Sequence, residues 1–157
     1  LLAKPVSNRD SGTMYRVTQE IDFCYGHRLL NYHGKCRHLH GHNGRAVIVL
    51  AGHQLDDRGM LIDFTDIKRE IRQWIDDTLD HRMILHRNDP AIASLQELGE
   101  PLVIIDCNPT AENIARLIYE QAVRRNLPVI EVSLWETARA YATYSGPSSS
   151  EQADQAS

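Results

Sequence analysis

The chain has 157 residues, 42% hydrophobic and 24% charged, with 21 acidic and 17 basic side chains and a formal net charge of −4. That length and balance describe one globular domain with enough chain to bury a core. The acidic excess argues against phosphate-backbone binding, and no apolar run reaches the roughly 18 residues that span a bilayer, so neither nucleic acid nor membrane is expected as a partner.

Residues 1–13 are polar and irregular and read as a flexible leader or remnant ahead of Met14; "LLAKPVSNRD" lacks the basic segment and long apolar stretch of a signal peptide. A single domain is expected over 14–145. It begins with "YRVTQEIDF", where Val17, Ile21 and Phe23 share one alternating face, as in a half-buried strand. "GRAVIVLAG" is β-branched and apolar and predicts a second strand. Gly59 marks a turn in "DDRGMLIDF". "TDIKREIRQWIDDTL" then places Ile67, Ile71, Trp74 and Ile75 at helical spacing, with Asp63 or Thr65 as the cap.

A loop-rich stretch follows, and then the short extended run "PLVIID". "PTAENIARLIYEQAVRRN" predicts a second helix, capped by Thr110, with Glu112 in its first turn and Arg124 and Arg125 in its last. Its apolar stripe is Ile114, Leu117, Ile118 and Ala122. "PVIEVSLWET" and "ARAYATY" alternate again and are close enough to form a hairpin, and 146–157 read as a disordered tail. Grouped helices between runs of strands predict an α+β fold with the helices on one face of an antiparallel sheet. The opposite face needs cover, which subunit association would supply.

The chemistry concentrates in "CRHLHGHN", Cys36 to Asn43. On an extended segment His40 and His42 point to the same side. His27 ends the first strand, and pairing of the first two strands brings it alongside. Three neutral imidazoles with one open position make a catalytic zinc site, with nitrogens at about 2.0–2.1 Å from the metal. His33 and His38 are the substitutes if the register differs. Cys36 reads either as a fourth ligand closing a structural site or as an unligated thiolate favoured by Lys35 and Arg37; the residues alone leave both open. Cys24 and Cys107 read as buried small apolar residues. With Cys36 they form an odd set without a C-x-x-C pair, which points to a reducing, cytoplasmic setting. Asp80 and His81 form an adjacent carboxylate–imidazole pair. Glu136 ends an apolar strand, where it can cap the sheet, join an ion pair, or clamp a ligand edge that offers two N–H donors.

In order, "FCYGHRL", "GKCRHLHGHN", "GMLIDFTDIK", "LDHR", "NPTAENIA" and "VSLWET" resemble the 6-pyruvoyl-tetrahydropterin synthase / 6-carboxytetrahydropterin synthase family from about Tyr15 to Tyr144. The resemblance implies the tunnelling fold (T-fold), an antiparallel four-stranded sheet carrying two helices, assembled into trimers and then a homohexamer. It implies that His27, His40 and His42 hold Zn2+, that Cys36 is the general base, and that Asp80 and His81 form a proton relay. Glu136 would anchor the pterin, with Thr110 and Glu112 in a segment of further pterin contacts. The implied activity is a lyase reaction on a small-molecule pterin, 7,8-dihydroneopterin triphosphate. The compact "CRHLHGH" resembles the bacterial 6-carboxytetrahydropterin synthases of the deazapurine (queuosine) pathway more than the animal pyruvoyl enzymes. "HRMILHRNDPAIASLQELGEP" makes a longer connection after His81 than the family's, at the expected triphosphate entrance. The other readings are the pyruvoyl synthase reaction in the same site and a non-catalytic metal- or pterin-binding module.

Overall fold

The computed structural model describes residues 14–147; the expected leader (1–13) and the tail from 148 onward lie outside the described residues. Two long strands, β1 (Tyr15–His27) and β2 (His40–Gly52), pair antiparallel over their whole length, from Tyr15 opposite Gly52 to His27 opposite His40. Alternation decides what each face does. Ile21, Phe23 and Tyr25 of β1 and Ala46, Ile48 and Leu50 of β2 are buried on one face, as period-two patterning requires.

A turn around Gly59 follows, at φ +80°, where a left-handed backbone suits a residue without Cβ. Asp63 then caps the next segment, its side chain accepting from the Thr65 N–H. Helix α1 (Phe64–Ile67), a π-helical stretch (Lys68–Arg72) and α2 (Gln73–Thr78) follow without a break. Ile67, Ile71, Ile75 and Leu79 are fully buried along the rod; each such side chain contributes roughly 1.5–3 kcal/mol. The long helix α4 (Ala111–Arg124) is capped by Thr110 and buries Ile114, Ala115, Ile118 and Ala122 against the same sheet face. Both caps and both apolar stripes agree with the sequence pattern.

The sheet is larger than the expected four antiparallel strands. It has six, in the spatial order β4 (Leu102–Ile105), β3 (Arg82–His86), β1, β2, β5 (Val129–Thr137) and β6 (Ala140–Tyr144). β5 (Val129–Thr137) and β6 (Ala140–Tyr144) form the expected hairpin beside β2. Two strands are additional: β3 (Arg82–His86) lies in the stretch read as loop and runs parallel to the end of β1, and β4 (Leu102–Ile105), the run read as extended, is parallel to β3. Short α3 (Ile92–Glu97) makes the crossover between them, the geometry a parallel connection needs. The connection after His81 is therefore a built strand–helix–strand unit. Its anchor is Asp89, buried and paired with Arg28, the residue after His27.

Candidate active site and metal centre

The apolar face of β1 and β2 ends in histidine. His27 sits opposite His40 and Tyr25 opposite His42, so all three imidazoles emerge on the helix-covered face just where the aliphatic core stops. One ring nitrogen from each lies within 4.8 Å of the other two. His33 and His38 are outside this group. His27 is only 3% exposed.

Hydrogen bonds decide which nitrogens face inward. The Pro109 carbonyl lies 2.6 Å from His27 Nδ1 and the His38 carbonyl 2.7 Å from His40 Nδ1. A carbonyl only accepts, so each Nδ1 carries the proton and each Nε2 keeps a lone pair. His40 Nε2 is buried without a hydrogen-bond partner, and His42 Nε2 lies 3.1 Å from His27 Nε2. Nitrogens at 2.0–2.1 Å from a tetrahedral cation lie roughly 3.3 Å apart. An orphaned buried nitrogen and two close, inward-facing ones therefore fit a metal ion held by three imidazoles. Burial, the largest influence, lowers the pKa of His27 with help from the other two imidazoles, against the Pro109 bond and the Glu136 charge. The neutral, ligating form is favoured.

The Pro109 carbonyl is itself held in place. Asn108 Oδ1 accepts from the Leu30 N–H (2.8 Å) and Asn108 Nδ2 donates to the Leu30 carbonyl (3.0 Å). The Asn113 side chain donates back to the Asn108 carbonyl. This clamp ties the segment after His27 to the loop before α4. Sequence reading missed Asn108, whose only signal was an Asn-Pro pair ahead of a helix cap.

A cleft of about 320 Å³ beside the histidines is lined by His27, Cys36, Thr110, Glu112, Glu136 and Tyr141, among others. Five residues expected in the site thus meet in one place. Cys36 sits in a short turn (Lys35–Arg37) on its wall, outside the three-histidine group. Thr110 lines the cleft and also caps α4, accepting from the Asn113 N–H. Glu136 falls where the pairing of β5 with β6 shifts register, between Trp135 and Thr137; bulges of this kind re-aim side chains. Its Oε1 accepts from the Tyr25 hydroxyl at 3.0 Å and lies 3.8 Å from His27 Nε2 and 4.0 Å from His42 Nε2. The sheet brings this carboxylate, far along the chain from the histidines, beside them. Tyr25, which reads in sequence as an ordinary core aromatic, is the link. Burial, then the charge and hydrogen bond of Glu136, push its hydroxyl far above the ordinary tyrosine range, so it stays a donor.

Asp80 and His81 stand elsewhere. Asp80 Oδ2 lies 2.7 Å from His81 Nδ1, and its Oδ1 accepts from the Cys24 N–H, while the His81 N–H donates to the Cys24 carbonyl. Burial works against the Asp80 carboxylate, yet these hydrogen bonds and His81 hold its pKa below the usual range. His81 has φ +55°, an uncommon left-handed conformation for a non-glycine residue. Its side chain is 77% exposed and lines two clefts with Cys24 and Asn43, on the reverse of the β1–β2 ribbon. The larger also touches His40 and His42, but neither contains Cys36. Within one chain, then, the pair does not share the cleft of Cys36 and Glu136. Two smaller expectations are corrected too: Cys24 is only half-buried, its thiol donating to Asn43, and Cys107 is exposed. Cys24 lies on the outward-alternating face of β1, and Cys107 lies in the loop between β4 and α4.

The sequence model of 6-pyruvoyl tetrahydropterin synthase matches residues 16–147. The chain belongs to the 6-pyruvoyl tetrahydropterin synthase family. A relative from Rickettsia typhi, a 6-carboxy-5,6,7,8-tetrahydropterin synthase, is 36% identical over 135 residues, covering 82% of this chain and 98% of its own. An uncharacterized protein from Wolinella succinogenes has the same fold, with a TM-score of 0.73 at 27% identity over 86% of this chain and 99% of its own. The Caenorhabditis elegans 6-pyruvoyl tetrahydropterin synthase superposes with a TM-score of 0.64 at 23% identity, over 86% of this chain and 97% of its own. The tunnelling fold and a tetrahydropterin synthase activity of the lyase kind follow from membership of the 6-pyruvoyl tetrahydropterin synthase family.

Proposed function

We propose that the protein is a zinc-dependent 6-carboxy-5,6,7,8-tetrahydropterin synthase. It would convert 7,8-dihydroneopterin triphosphate to 6-carboxytetrahydropterin with release of triphosphate and acetaldehyde, in the cytoplasm and on the route to deazapurines such as queuosine. One observation carries this reading: three imidazoles bring ring nitrogens within 4.8 Å of one another beside a cleft that also holds a cysteine and a carboxylate. The compact "CRHLHGH" segment and the name of the Rickettsia relative support the carboxy product.

His27, His40 and His42 would hold the zinc, which when bound supplies Lewis-acid polarisation of the substrate's side-chain oxygens. The Cys36 thiolate removes a proton from the side chain; its place on the cleft wall outside the histidine group favours the base over the ligand reading. His81, oriented by Asp80, returns a proton. Because that pair opens on the other side of the ribbon, it would serve the cleft of a neighbouring subunit in a homohexamer built as a dimer of trimers. Glu136 accepts from the two N–H donors of the 2-amino-pyrimidinone edge and fixes the ring in register, a positioning effect comparable to acid–base chemistry. Thr110 and Glu112 line the same pocket.

Incubating zinc-loaded protein with 7,8-dihydroneopterin triphosphate, and identifying pterin and aldehyde by mass, tests the reading. Acetaldehyde with the 6-carboxy product is the expected result. A 6-pyruvoyl product without acetaldehyde would move the chain to the pyruvoyl reaction, and absence of triphosphate release would leave a binding module.

A further inference from the structure

Glu136 stands one small movement from the metal position. Its Oε1 lies 3.8 Å from His27 Nε2 and 4.0 Å from His42 Nε2, whereas ligands on one tetrahedral cation lie roughly 3.3 Å apart. Carboxylate oxygen is an ordinary zinc ligand, and a glutamate side chain reaches different positions by changing between staggered rotamers. Were Glu136 to take the fourth position, three histidines and a carboxylate would close the centre. A closed centre is the structural kind, with no place for substrate.

The Tyr25 hydroxyl donates to that same Oε1, at 3.0 Å. The ring bearing it has little freedom. It stacks on Phe23 (centroids 5.4 Å apart), meets His27 edge-on at 5.3 Å and lies over Gly44, where a Cβ would come within 2.8 Å of Tyr25 Cε1. The hydroxyl is therefore a fixed donor aimed at a carboxylate on a strand irregularity.

We propose that Tyr25 is a positioning residue whose hydroxyl holds Glu136 out of the fourth metal position, leaving the carboxylate for the pterin edge and the metal for the substrate. The proposal rests on His27, His40 and His42 being the metal centre. It predicts that removing one oxygen atom strengthens metal binding instead of weakening it.

The test uses full-length protein with Tyr25→Phe, Glu136→Gln and both together, each loaded with Co2+ and with Zn2+. Metal affinity is read by competition with a chromophoric chelator and coordination by the visible Co2+ spectrum. Tyr25→Phe keeps the ring that Gly44 and Phe23 pack against, and circular dichroism verifies the fold. The expected result is tighter metal binding in Tyr25→Phe by on the order of tenfold, the lower end of the roughly 10–100-fold by which outer-sphere partners move metal affinity. A changed Co2+ spectrum should accompany it. In the Glu136→Gln background the tyrosine substitution should do nothing, because no carboxylate remains to swing in. Unchanged affinity and spectrum in Tyr25→Phe overturn the proposal, as does a change that persists without Glu136. A His40→Ala control separates the two levels. If it binds metal like the wild type, the metal centre itself is misplaced; if it loses metal while Tyr25→Phe changes nothing, the proposal alone fails.

Discussion

Asn108 makes no contact with the metal position, yet it determines where His27 points. Its paired hydrogen bonds to Leu30 hold the loop whose Pro109 carbonyl fixes the His27 tautomer. Asn108→Ala should therefore weaken zinc binding by about 10–100-fold, the range for outer-sphere partners, as chelator competition would show. Cys36→Ala, by contrast, should keep its zinc and lose on the order of 10²–10⁴ in turnover, the usual loss for a general base; loss of zinc from that variant would make Cys36 a ligand. Glu136→Gln turns one acceptor into a donor facing a ring N–H. It should weaken binding of a pterin lacking the triphosphate side chain by roughly 2–4 kcal/mol, the scale of an unmet charged partner, measurable by titration. At this scale the three histidines were legible because period-two geometry puts residues two apart on one face. Tyr25 and Asn108 were not, since their importance lies in partners 111 and 78 positions away.

Among the elements, the strands and helices that announce themselves are those with one wet face. β1 alternates, and α4 carries a stripe and a cap. β3 does not: "RMILH" is short, lacks clean alternation and is stabilised by parallel pairing with β1 and β4 on either side, which no local pattern encodes. Its unit is held by Arg28–Asp89. Burial opposes the Asp89 carboxylate, but Arg28 and the Ala91 N–H together lower its pKa below the ordinary 3.8. A carboxyl group depressed in the folded state stabilises the fold above its unfolded pKa and loses that contribution as pH falls through the folded value. Denaturant titrations should therefore show stability falling below about pH 4, with a shallower fall in Asp89→Asn. That variant should cost about 3 kcal/mol near neutral pH, the low end for breaking a buried pair, because Arg28 keeps some access to water.

For the whole molecule, the sheet has a second face that no helix among the described residues covers. Arg45 lies over the Trp135 ring, and Trp135 stacks on the 55%-exposed Tyr141, so apolar and cationic surface faces outward together. The exposed His81 beside Asp80 likewise stands outside the cleft of Cys36 and Glu136 in its own chain. Both features fit a site completed between subunits. Mixed oligomers of Cys36→Ala and His81→Ala chains, each inactive alone, should accordingly recover activity; verified mixed oligomers that stay inactive would place the whole site in one chain. The two-helix, one-face architecture and the extended run that becomes β4 could be read from the chain, whereas the sheet's full width could not, because β3 becomes a strand only by pairing between β1 and β4.

The metal centre is tested by the zinc content of the purified chain and its single histidine variants. One zinc per chain is expected in the wild type and in His33→Ala, His38→Ala, His53→Ala and His86→Ala, and none in His27→Ala, His40→Ala or His42→Ala, whose nitrogens form the cluster. Zinc retained by His40→Ala but lost from His38→Ala would contradict the account.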